Sequence, residues 1–426
     1  MTTEKNNSIL VIGAGLAGIE ASLLLAKAGR KVYLVEKESY FGGAAIKSEE
    51  ITPHMECATC MLAPKQSDIL ENKNIELLTL CEVTGVNGKA GHFAVKIRKR
   101  ARYISLESCI GCGACFEPCP VSVPNDFEEG LSKRKAIYVA CAGALPNAPV
   151  IDMENCLRDK GEDCTLCKEA CMFDAICYED KDEETTINVG AIIVATGYKL
   201  GDMSQFPKYG YNKKSNVYSA FEFERLRASN GPTSGTIQMR DGQKPKSIGL
   251  IHCVGRDEKK YCSQVCCMYL TKFAHYAFEQ LENVKIYQFY KELSIPGKGS
   301  QKFFHEVKAR GIEMLRNKSL SISANGSNEA VTIEYQNEKD EKKALDVDMV
   351  VLAPFIEAYP GTDQLARLLE VKLDDFGFIK TDAFDSVTTT RAGIFAIGCI
   401  QSPMSMSDTT IQAHIAAGQA LAFTEV

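Results

Sequence analysis

The sequence has no tryptophan, few histidines and no apolar run long enough to cross a bilayer. Because a transmembrane helix needs about 20 consecutive apolar residues, we expect no direct membrane span. Residues 1–8 are polar and lack the apolar core of a secretory signal. The sequence therefore predicts a cytoplasmic protein.

The sequence also has no excess of positive charge, since the formal net charge is -6 and the isoelectric point is near 5.7. Such a chain has no field that would gather the phosphates of nucleic acid, so nucleic acid is not an expected partner. The histidines lack the spacing of a zinc site. We expect all of them to be structural or solvated: His54, His92, His252, His275, His305 and His414.

Cysteine is abundant by contrast, with 18 residues in a chain of 426. Thiols in a reduced cytosolic protein are an oxidation liability, and they pack no better than alanine or valine. We therefore expect most of the cysteines to bind metal.

The apolar pattern predicts an α/β protein that opens with a strand, a glycine-rich turn, a helix and a second strand. A polar loop at 230–245 precedes a second lobe. Strands are predicted at 9–12, 31–35, 75–80, 93–97, 191–194, 247–252, 284–290, 320–324, 330–336, 349–352 and 394–397, and helices at 19–28, 268–281, 303–315 and 410–422.

The first turn carries the glycine spacing of a dinucleotide-binding site, with Gly13, Gly15 and Gly18 between strand and helix. These glycines allow the backbone to approach a pyrophosphate, whose charge the helix N-terminus stabilises. Glu36, at the end of the next strand, can accept hydrogen bonds from both ribose hydroxyls. We predict dinucleotide binding here.

FAD is favoured over NAD because Lys37 leads into a second flexible turn at Gly42 and Gly43. The segment that contains Thr196 and Gly197 resembles the returning strand of two-domain flavoproteins such as thioredoxin reductase. The segment around Gly398 resembles their last FAD-contacting strand. There Cys399 departs from the aspartate that those enzymes usually carry.

The middle of the chain contains two cysteine runs of the bacterial ferredoxin type, in which the fourth cysteine of each run binds the neighbouring cluster. Zinc is the alternative metal for such C-x2-C pairs, but two successive runs favour [4Fe-4S] clusters. The crossover rule assigns Cys109, Cys112, Cys115 and Cys171 to cluster one, and Cys156, Cys164, Cys167 and Cys119 to cluster two.

The second lobe has cysteines where a nicotinamide fingerprint would be expected: Cys253, Cys262, Cys266 and Cys267. A cubane needs four thiolates, so we predict a third [4Fe-4S] site; four buried reduced cysteines are the alternative. We expect Cys262 and Cys266 to lie one helical turn apart.

The sequence leaves three roles open for the pair Cys57 and Cys60: a redox dithiol, an extra pair of metal ligands, or packing. Cys81, Cys141 and Cys177 are predicted to be structural. The alternating basic residues Lys96, Arg98, Arg100 and Arg102 are predicted to form a solvated strand face, with docking of an acidic partner as the alternative.

Several segments together resemble the A subunit of heterodisulfide reductase: 56–65 (ECATCMLAPK), 119–125 (CPVSVPN), 135–138 (KAIY) and 261–269 (YCSQVCCMY). The resemblance covers nearly the whole chain and implies two clusters in the inserted module and another on the second-lobe cysteines. Long family members carry additional domains, and this chain is similar in extent to short relatives such as the A subunit of the quinone-interacting membrane-bound oxidoreductase.

We therefore predict a thioredoxin-reductase-like two-lobed flavoprotein with a Rossmann-type FAD domain and an inserted bacterial 2[4Fe-4S] ferredoxin-like module. The expected division is FAD domain at 1–105, 181–240 and 353–426, inserted module at 106–180, and second Rossmann-like lobe at 241–352.

The resemblance implies an FAD and iron-sulfur electron-transfer subunit of an anaerobic redox complex. Its expected partners are other iron-sulfur subunits of the heterodisulfide reductase type and a membrane-bound subunit. We predict no catalytic acid, base or nucleophile. The alternatives are a stand-alone NAD(P)H-dependent iron-sulfur oxidoreductase and a scaffold with vestigial metal sites.

Overall fold

The computed structural model describes residues 6–211, 215–323 and 330–424. In chain order the strands are Ile9–Ile12 (β1), Val32–Val35 (β2), Glu50–Ile51 (β3), Glu56–Cys57 (β4), Ile75–Leu78 (β5), Cys81–Lys89 (β6), His92–Lys99 (β7), Val123–Pro124 (β8), Lys133–Arg134 (β9), Ile137–Tyr138 (β10), Val150–Ile151 (β11), Glu183–Val189 (β12), Ala191–Val194 (β13), Tyr198–Leu200 (β14), Val217–Ser219 (β15), Ser247–Ile251 (β16), Lys285–Tyr290 (β17), Glu313–Ser323 (β18), Val331–Asn337 (β19), Lys342–Val347 (β20), Met349–Leu352 (β21), Ile356–Ala358 (β22) and Ile394–Ala396 (β23).

The α-helices are Leu16–Lys27 (α1), Ala58–Glu71 (α2), Leu166–Glu169 (α3), Ala220–Arg227 (α4), Arg256–Lys259 (α5), Cys266–Gln280 (α6), Lys298–Ala309 (α7), Thr362–Leu369 (α8) and Met406–Thr424 (α9).

The first lobe is built on a parallel sheet of order β23-β13-β1-β2-β5. Successive strand residues point to opposite faces, so both faces of β1 are buried. Ile9 and Val11 pack in a core that also contains residues of α1, α2 and α9. Leu10 and Ile12 pack in a second core, against the antiparallel sheet β12-β7-β6.

The cysteine-rich segment is inserted between two strands that pair with each other. Lys99, at the end of β7, lies opposite Glu183, at the start of β12, so the segment leaves and re-enters the sheet at one place. Inside it the strand pairs β8–β9 and β10–β11 are only two residues long, and a small apolar core includes several of the cysteines. So little apolar surface is a weak source of stability, and bound metal commonly supplies the remainder in modules of this kind.

The second lobe has a seven-stranded sheet of order β15-β21-β16-β17-β18-β19-β20. The first five of these strands are parallel, and β19 and β20 are antiparallel. Helices α4, α6 and α7 contribute to the core on one face. In a parallel sheet the turns after the strand ends are where ligands bind, and the cysteines at 253–267 lie directly after β16.

Most predicted elements are present, and three features differ. The predicted helix at 303–315 is wrong at its end: α7 stops at Ala309, Gly311 has a φ of 113°, and β18 begins at Glu313. Several elements were not predicted, among them strands β6, β12, β15 and β20 and helices α2, α4 and α8. The predicted lobe boundary at 241 also differs from the sheet, because β15 pairs with β21 and α4 packs in the second-lobe core.

Two predictions reach beyond the part of the chain that the structure describes. They are the polar start at residues 1–5 and the end of the predicted strand at residue 324. Within the described ranges, no helix is both long and apolar enough to pass through a bilayer.

Candidate functional site: a dinucleotide cleft and three cysteine sets

The turn between β1 and α1 is too crowded for side chains. A Cβ on Gly13 would lie 2.4 Å from the Ala195 carbonyl oxygen, and one on Gly18 would lie 1.9 Å from the Gly13 oxygen. Gly13 also has a φ of 102°, which L-residues rarely adopt. The predicted fingerprint therefore forms a bare backbone turn at the N-terminus of α1, as binding of a pyrophosphate requires.

The second predicted glycine turn packs against the first. Gly15 and Gly42 form a parallel bridge, and a Cβ on Gly43 would lie 2.8 Å from the Gly15 Cα. Gly42, with a φ of 125°, is supported from behind by Leu62 and Gln66 of α2. The two turns together form one wall of a cleft.

Glu36 lies where the adenosine ribose is expected. Its carboxylate accepts hydrogen bonds from the Ala14 and Glu38 backbone N–H groups, each at 2.9 Å. Burial nevertheless raises the pKa of Glu36 to about 7. A bound ribose could complete the hydrogen bonding of this carboxylate.

The cleft has a volume of about 830 Å³, which suits a large cofactor. Lining it are predicted contact residues from several parts of the chain: Gly13, Gly15, Glu36, Lys37, Gly43, Thr196, Gly197 and Gly398. Gly18 and Gly42 support its walls from behind. The buried Thr196 hydroxyl has no hydrogen-bond partner in the structure, and a buried hydroxyl normally has one. The residues present therefore fit a bound dinucleotide.

Other lining residues were not predicted. Arg98, Tyr359 and Tyr40 line the cleft but belong to no predicted cofactor-binding motif, and Tyr198 ends the predicted returning-strand segment without having been predicted as a contact. Cys399 lines it in the place of the usual aspartate; its side chain is buried, which raises the pKa of the thiol to about 11. A neutral thiol cannot supply the charge that an aspartate would.

The thiols assigned to cluster two surround a single small cavity in the insert. Cys119 of the first run lines it together with the three second-run cysteines of that set, Cys156, Cys164 and Cys167. The other lining side chains include Val121, Ala136, Ile137, Ile151 and Leu166, which are apolar. The chain therefore brings together the four thiols that the crossover rule groups, in a pocket with a largely apolar lining.

The cluster-one thiols pack on the same apolar core. Cys115 is buried, and Cys109 and Cys171 are half-buried beside it, while Cys112 is exposed. Burial raises the pKa of Cys115 to about 12, with smaller contributions from the thiols of Cys167, which is assigned to cluster two, and of Cys109 and Cys171. Backbone N–H groups already point at the sulfurs, from Gly111 to Cys109 and from Ala175 to Cys171, each at 3.4 Å. Such donors tune the potential of a cluster.

The third cysteine set lies in the loop after β16 and at the start of α6. The Cys267 thiol and burial raise the pKa of Cys266, with smaller contributions from Cys253 and Cys262, so the four thiols are near one another. The Cys266 thiol and the His252 imidazole lower the pKa of Cys267. Ser294 and Gln264 direct backbone N–H groups at Cys267 and Cys262, at 3.3 and 3.4 Å.

The predicted spacing of Cys262 and Cys266 on one helix is wrong. Helix α6 begins at Cys266, and Cys262 lies in the preceding loop, where Gln264 has a φ of 60°. His252 is buried beside this set, and neither of its ring nitrogens makes a hydrogen bond of normal geometry. A group with hydrogen-bond acceptors, such as cluster sulfide, would satisfy one of them.

The third set adjoins the cleft. Val265 lines the cleft and directly precedes Cys266. Tyr269 lies between the two sites: burial raises the pKa of its hydroxyl well above the ordinary range, with contributions from Cys266 and from Tyr198 of the cleft. Tyr40 of the cleft packs edge-on against Phe127 of the insert, with ring centroids 6.0 Å apart. The insert and the segment that carries the third cysteine set therefore both adjoin the cleft.

The remaining cysteines differ in environment. Cys57 and Cys60 are joined by a disulfide. Cys81 is buried, Cys141 is half-buried and Cys177 is exposed. Within the described ranges, no group of three or more His, Cys, Asp or Glu side chains is arranged to hold a single metal ion. A cubane spaces its thiolates more widely, because each binds a different iron.

The predicted basic strand face is wrong at one residue. Arg102 is buried and donates hydrogen bonds to the Ser39 oxygen at 2.8 Å and the Thr79 hydroxyl at 3.0 Å, and also to the Ala148 and Pro149 oxygens. It therefore joins the insert to the first lobe. Arg98 pairs with Glu82 at the edge of the cleft.

Comparisons with known proteins agree with this geometry. Residues 8–49 match the family model "FAD binding domain", and residues 102–124 match "4Fe-4S binding domain". The chain is 36% identical to the A subunit of the H(2):CoB-CoM heterodisulfide,ferredoxin reductase of Methanothermobacter marburgensis, over 97% of this chain and 63% of that protein. It is 38% identical to an iron-sulfur A subunit of the CoB--CoM heterodisulfide reductase of Methanopyrus kandleri, over 98% of this chain and 64% of that protein.

The chain thus spans slightly less than two thirds of the length of these relatives. Among solved structures it is similar to thioredoxin reductase of Lactococcus lactis, with a TM-score of 0.56 and 12% identity, over 98% of this chain and 99% of that one. The predicted fold class is confirmed: a two-lobed Rossmann flavoprotein with an iron-sulfur module.

Proposed function

The chain belongs to the family of heterodisulfide reductase A subunits, and on this premise we propose that it relays electrons between bound FAD and three [4Fe-4S] clusters. It would do so as the flavin and iron-sulfur subunit of a larger oxidoreductase complex. The relatives are themselves named as subunits, which supports a role within an assembly.

The observation that carries the proposal is the cavity shared by Cys119 and the second-run cysteines Cys156, Cys164 and Cys167. Cys119 belongs to the first run and is distant in sequence from the other three, which belong to the second run. Their convergence is what the crossed ligation of a two-cluster ferredoxin requires. A zinc site built from successive C-x2-C pairs does not require one cysteine of each run to bind the metal of the other run.

Flavins can exchange electrons in pairs or singly and cubanes exchange them singly, so the two cofactor types together can split or collect electron pairs. The residues of the chain would bind and orient the FAD. The turn at Gly13 and Gly15 would hold the pyrophosphate, Glu36 the adenosine ribose, and Gly398 with Cys399 the far end of the cofactor. We assign no catalytic acid, base or nucleophile.

The position of the third cysteine set supports an electron route between the two lobes. Cys266 follows Val265, a residue of the cleft wall, so a cubane on this set would lie beside the flavin. In the alternative NAD(P)H-dependent oxidoreductase, the loop after β16 would hold a nicotinamide cofactor. This loop carries Cys253 and lacks a G-x-G-x-x-G sequence, which favours the relay.

Anaerobic purification followed by iron, acid-labile sulfide and flavin analysis tests the proposal. We expect about twelve iron atoms and about twelve sulfides for each FAD, since each cubane holds about four of each. A colourless sample without flavin or sulfide would refute it. Rapid bleaching of the flavin by NADH in the isolated chain would instead support the stand-alone oxidoreductase.

The same family membership suggests which partners the chain has and where it is located in the cell. We infer iron-sulfur subunits of the heterodisulfide reductase type as partners, together with one membrane-bound subunit, and a cytoplasmic location. Anaerobic co-purification with identification of the bound subunits tests the two partner inferences, and separation of cells into cytoplasmic and membrane fractions tests the location.

A further inference from the structure

We propose that Cys57 and Cys60 form a solvent-accessible disulfide centre that exchanges two electrons with external dithiols, separate from the flavin and cluster sites. The two residues are bonded, with Cα atoms 5.3 Å apart. Neither lines the cleft. Each of the three cysteine sets already has four thiols, so no cluster needs this pair as ligands.

The pair is accessible to another molecule. Cys60 is exposed and Cys57 is half-buried. Thr59 and Met61, which flank Cys60, are also exposed, Met61 to 47%. A dithiol can therefore reach the Cys60 sulfur without opening the fold.

The surrounding backbone is held without the disulfide. Cys57 pairs with Glu50 in the β3–β4 ladder, and the Ala58 N–H donates to the Glu49 oxygen at 3.0 Å. The Lys272 ammonium donates to the Glu50 oxygen at 2.9 Å. The bond also closes a very short loop, which constrains the unfolded chain little. A stabilising role alone explains the pair poorly.

The two sulfurs are chemically unequal. Cys57 is the N-cap of α2, a helix of 14 residues, and its sulfur accepts the Cys60 backbone N–H at 3.2 Å. The Thr59 hydroxyl lies 3.5 Å from the same sulfur. A thiolate at a helix N-terminus is stabilised by these donors and by the helix dipole. Cys57 is therefore the better leaving group, and Cys60 is the sulfur open to attack.

The exchange balances without any other reactant. A thiolate of the external dithiol attacks the Cys60 sulfur, the bond between the two cysteines breaks, and Cys57 leaves as the thiolate. The second thiol of the reductant then attacks its own sulfur in the mixed disulfide and releases Cys60. The pair gains two electrons and two protons, and the external dithiol is oxidised to its disulfide.

The first test equilibrates the anaerobic, cofactor-loaded full chain with mixtures of oxidised and reduced dithiothreitol. Acid quenching, alkylation and mass spectrometry then give the oxidised fraction at residues 57–60. We expect the ratio of disulfide to dithiol to rise in direct proportion to the ratio of oxidised to reduced reagent. Cys177→Ser, which removes an exposed cysteine elsewhere, should give the same curve. A pair that stays oxidised in excess reductant, or reduced in excess oxidant, would overturn the proposal.

The second test traps the intermediate with oxidised glutathione. In Cys57→Ser the resolving thiol is absent, so about one glutathione should remain on Cys60 in each chain, whereas the wild type should close its disulfide and retain none there. Failure of Cys60 to form this adduct would refute an exchange role. Loss of iron in Cys57→Ser would identify the pair as metal ligands and also refute it. Iron and flavin contents report separately on the proposed relay.

Discussion

At the scale of single residues, the glycine turns determine whether a pyrophosphate can approach the backbone. Gly13, Gly18 and Glu36 were recognised from sequence because each has a fixed distance from the ends of β1, α1 and β2. Tyr359 and Arg98 line the same cleft, but they come from parts of the chain outside the recognised cofactor-binding segments. No local pattern identifies such residues.

Gly18→Ala should abolish flavin retention. The new Cβ would lie 1.9 Å from the Gly13 oxygen, which is backbone and has little room to move. The ratio of flavin absorbance to protein in the purified variant measures the loss. Gly418→Ala is the matched control, because a Cβ on Gly418 in α9 meets nothing within 4 Å. It should retain flavin fully and gain about 0.5–1 kcal/mol of stability. Equal flavin contents in the two variants would contradict this account.

Glu36 should make the stability of the flavin-free protein depend on pH. Burial raises the pKa of this carboxyl from 4.5 to about 7, so between these values the folded state keeps a proton that the unfolded chain releases. Its contribution to stability is therefore complete below pH 4.5 and is lost as the pH rises through about 7.

Glu36→Gln should remove that dependence. Urea unfolding of flavin-free wild type and variant at pH 5 and pH 8 gives their difference in unfolding free energy. We expect the wild type to be less stable, relative to the variant, at pH 8 than at pH 5. A difference that did not change with pH would mean that Glu36 titrates normally in the empty cleft.

At the scale of elements, the ferredoxin runs were the most predictable part of the chain because cysteine spacing is set by cluster geometry. The end of α7 was not predictable in the same way. Apolar residues continue from Phe304 to Leu315, and the sequence shows no break other than Gly311. The sheet decides the outcome, since β18 pairs with β17 and draws the chain from 313 onwards into a strand.

The start of α6 illustrates the same limit. Cys262 and Cys266 have helical spacing, but the backbone at Gln264 adopts a φ of 60°, which a helix does not allow. Cys262 therefore lies in the loop before α6 and not on the helix. Spacing alone identified the four thiols but not the element on which each lies.

Crossed ligation within the insert predicts which cysteine variants share a defect. Cys119→Ala and Cys164→Ala should each remove about four iron atoms, and the double variant should also lose about four, because both residues serve cluster two. Combining Cys119→Ala with Cys112→Ala should remove about eight. Iron and sulfide analysis under anaerobic conditions measures these losses. If the Cys119 and Cys164 losses summed to eight, the assignment would be wrong.

At the scale of the whole molecule, a buried ion pair joins the insert to the second lobe. Arg225 donates to both carboxylate oxygens of Glu128, at 2.8 and 3.0 Å, and also to the Lys47 oxygen and the Asn230 side chain. The two charged side chains are only 1% and 8% exposed. No sequence pattern identifies this ion pair, because its two residues lie 97 residues apart.

Arg225→Met should destabilise the protein by about 3–5 kcal/mol, because it leaves the Glu128 carboxylate buried without its partner. Denaturant unfolding of the cofactor-loaded protein measures the effect. Arg310→Met breaks an exposed pair with Glu279 and should cost no more than about 1 kcal/mol. Similar losses in both variants would show that the burial of the Arg225 pair is unimportant.

Short contacts also fasten the first lobe to the second. Glu224 accepts the Glu49 backbone N–H at 2.8 Å, the Lys272 ammonium donates to the Glu50 oxygen at 2.9 Å, and Ser229 donates its N–H to Glu49 at 2.9 Å. A swinging motion between the lobes would have to break all of these contacts together. These contacts fix the distance between the cleft and the cysteines of α6. The rate of electron transfer between the two sites should therefore not depend on the viscosity of the solvent.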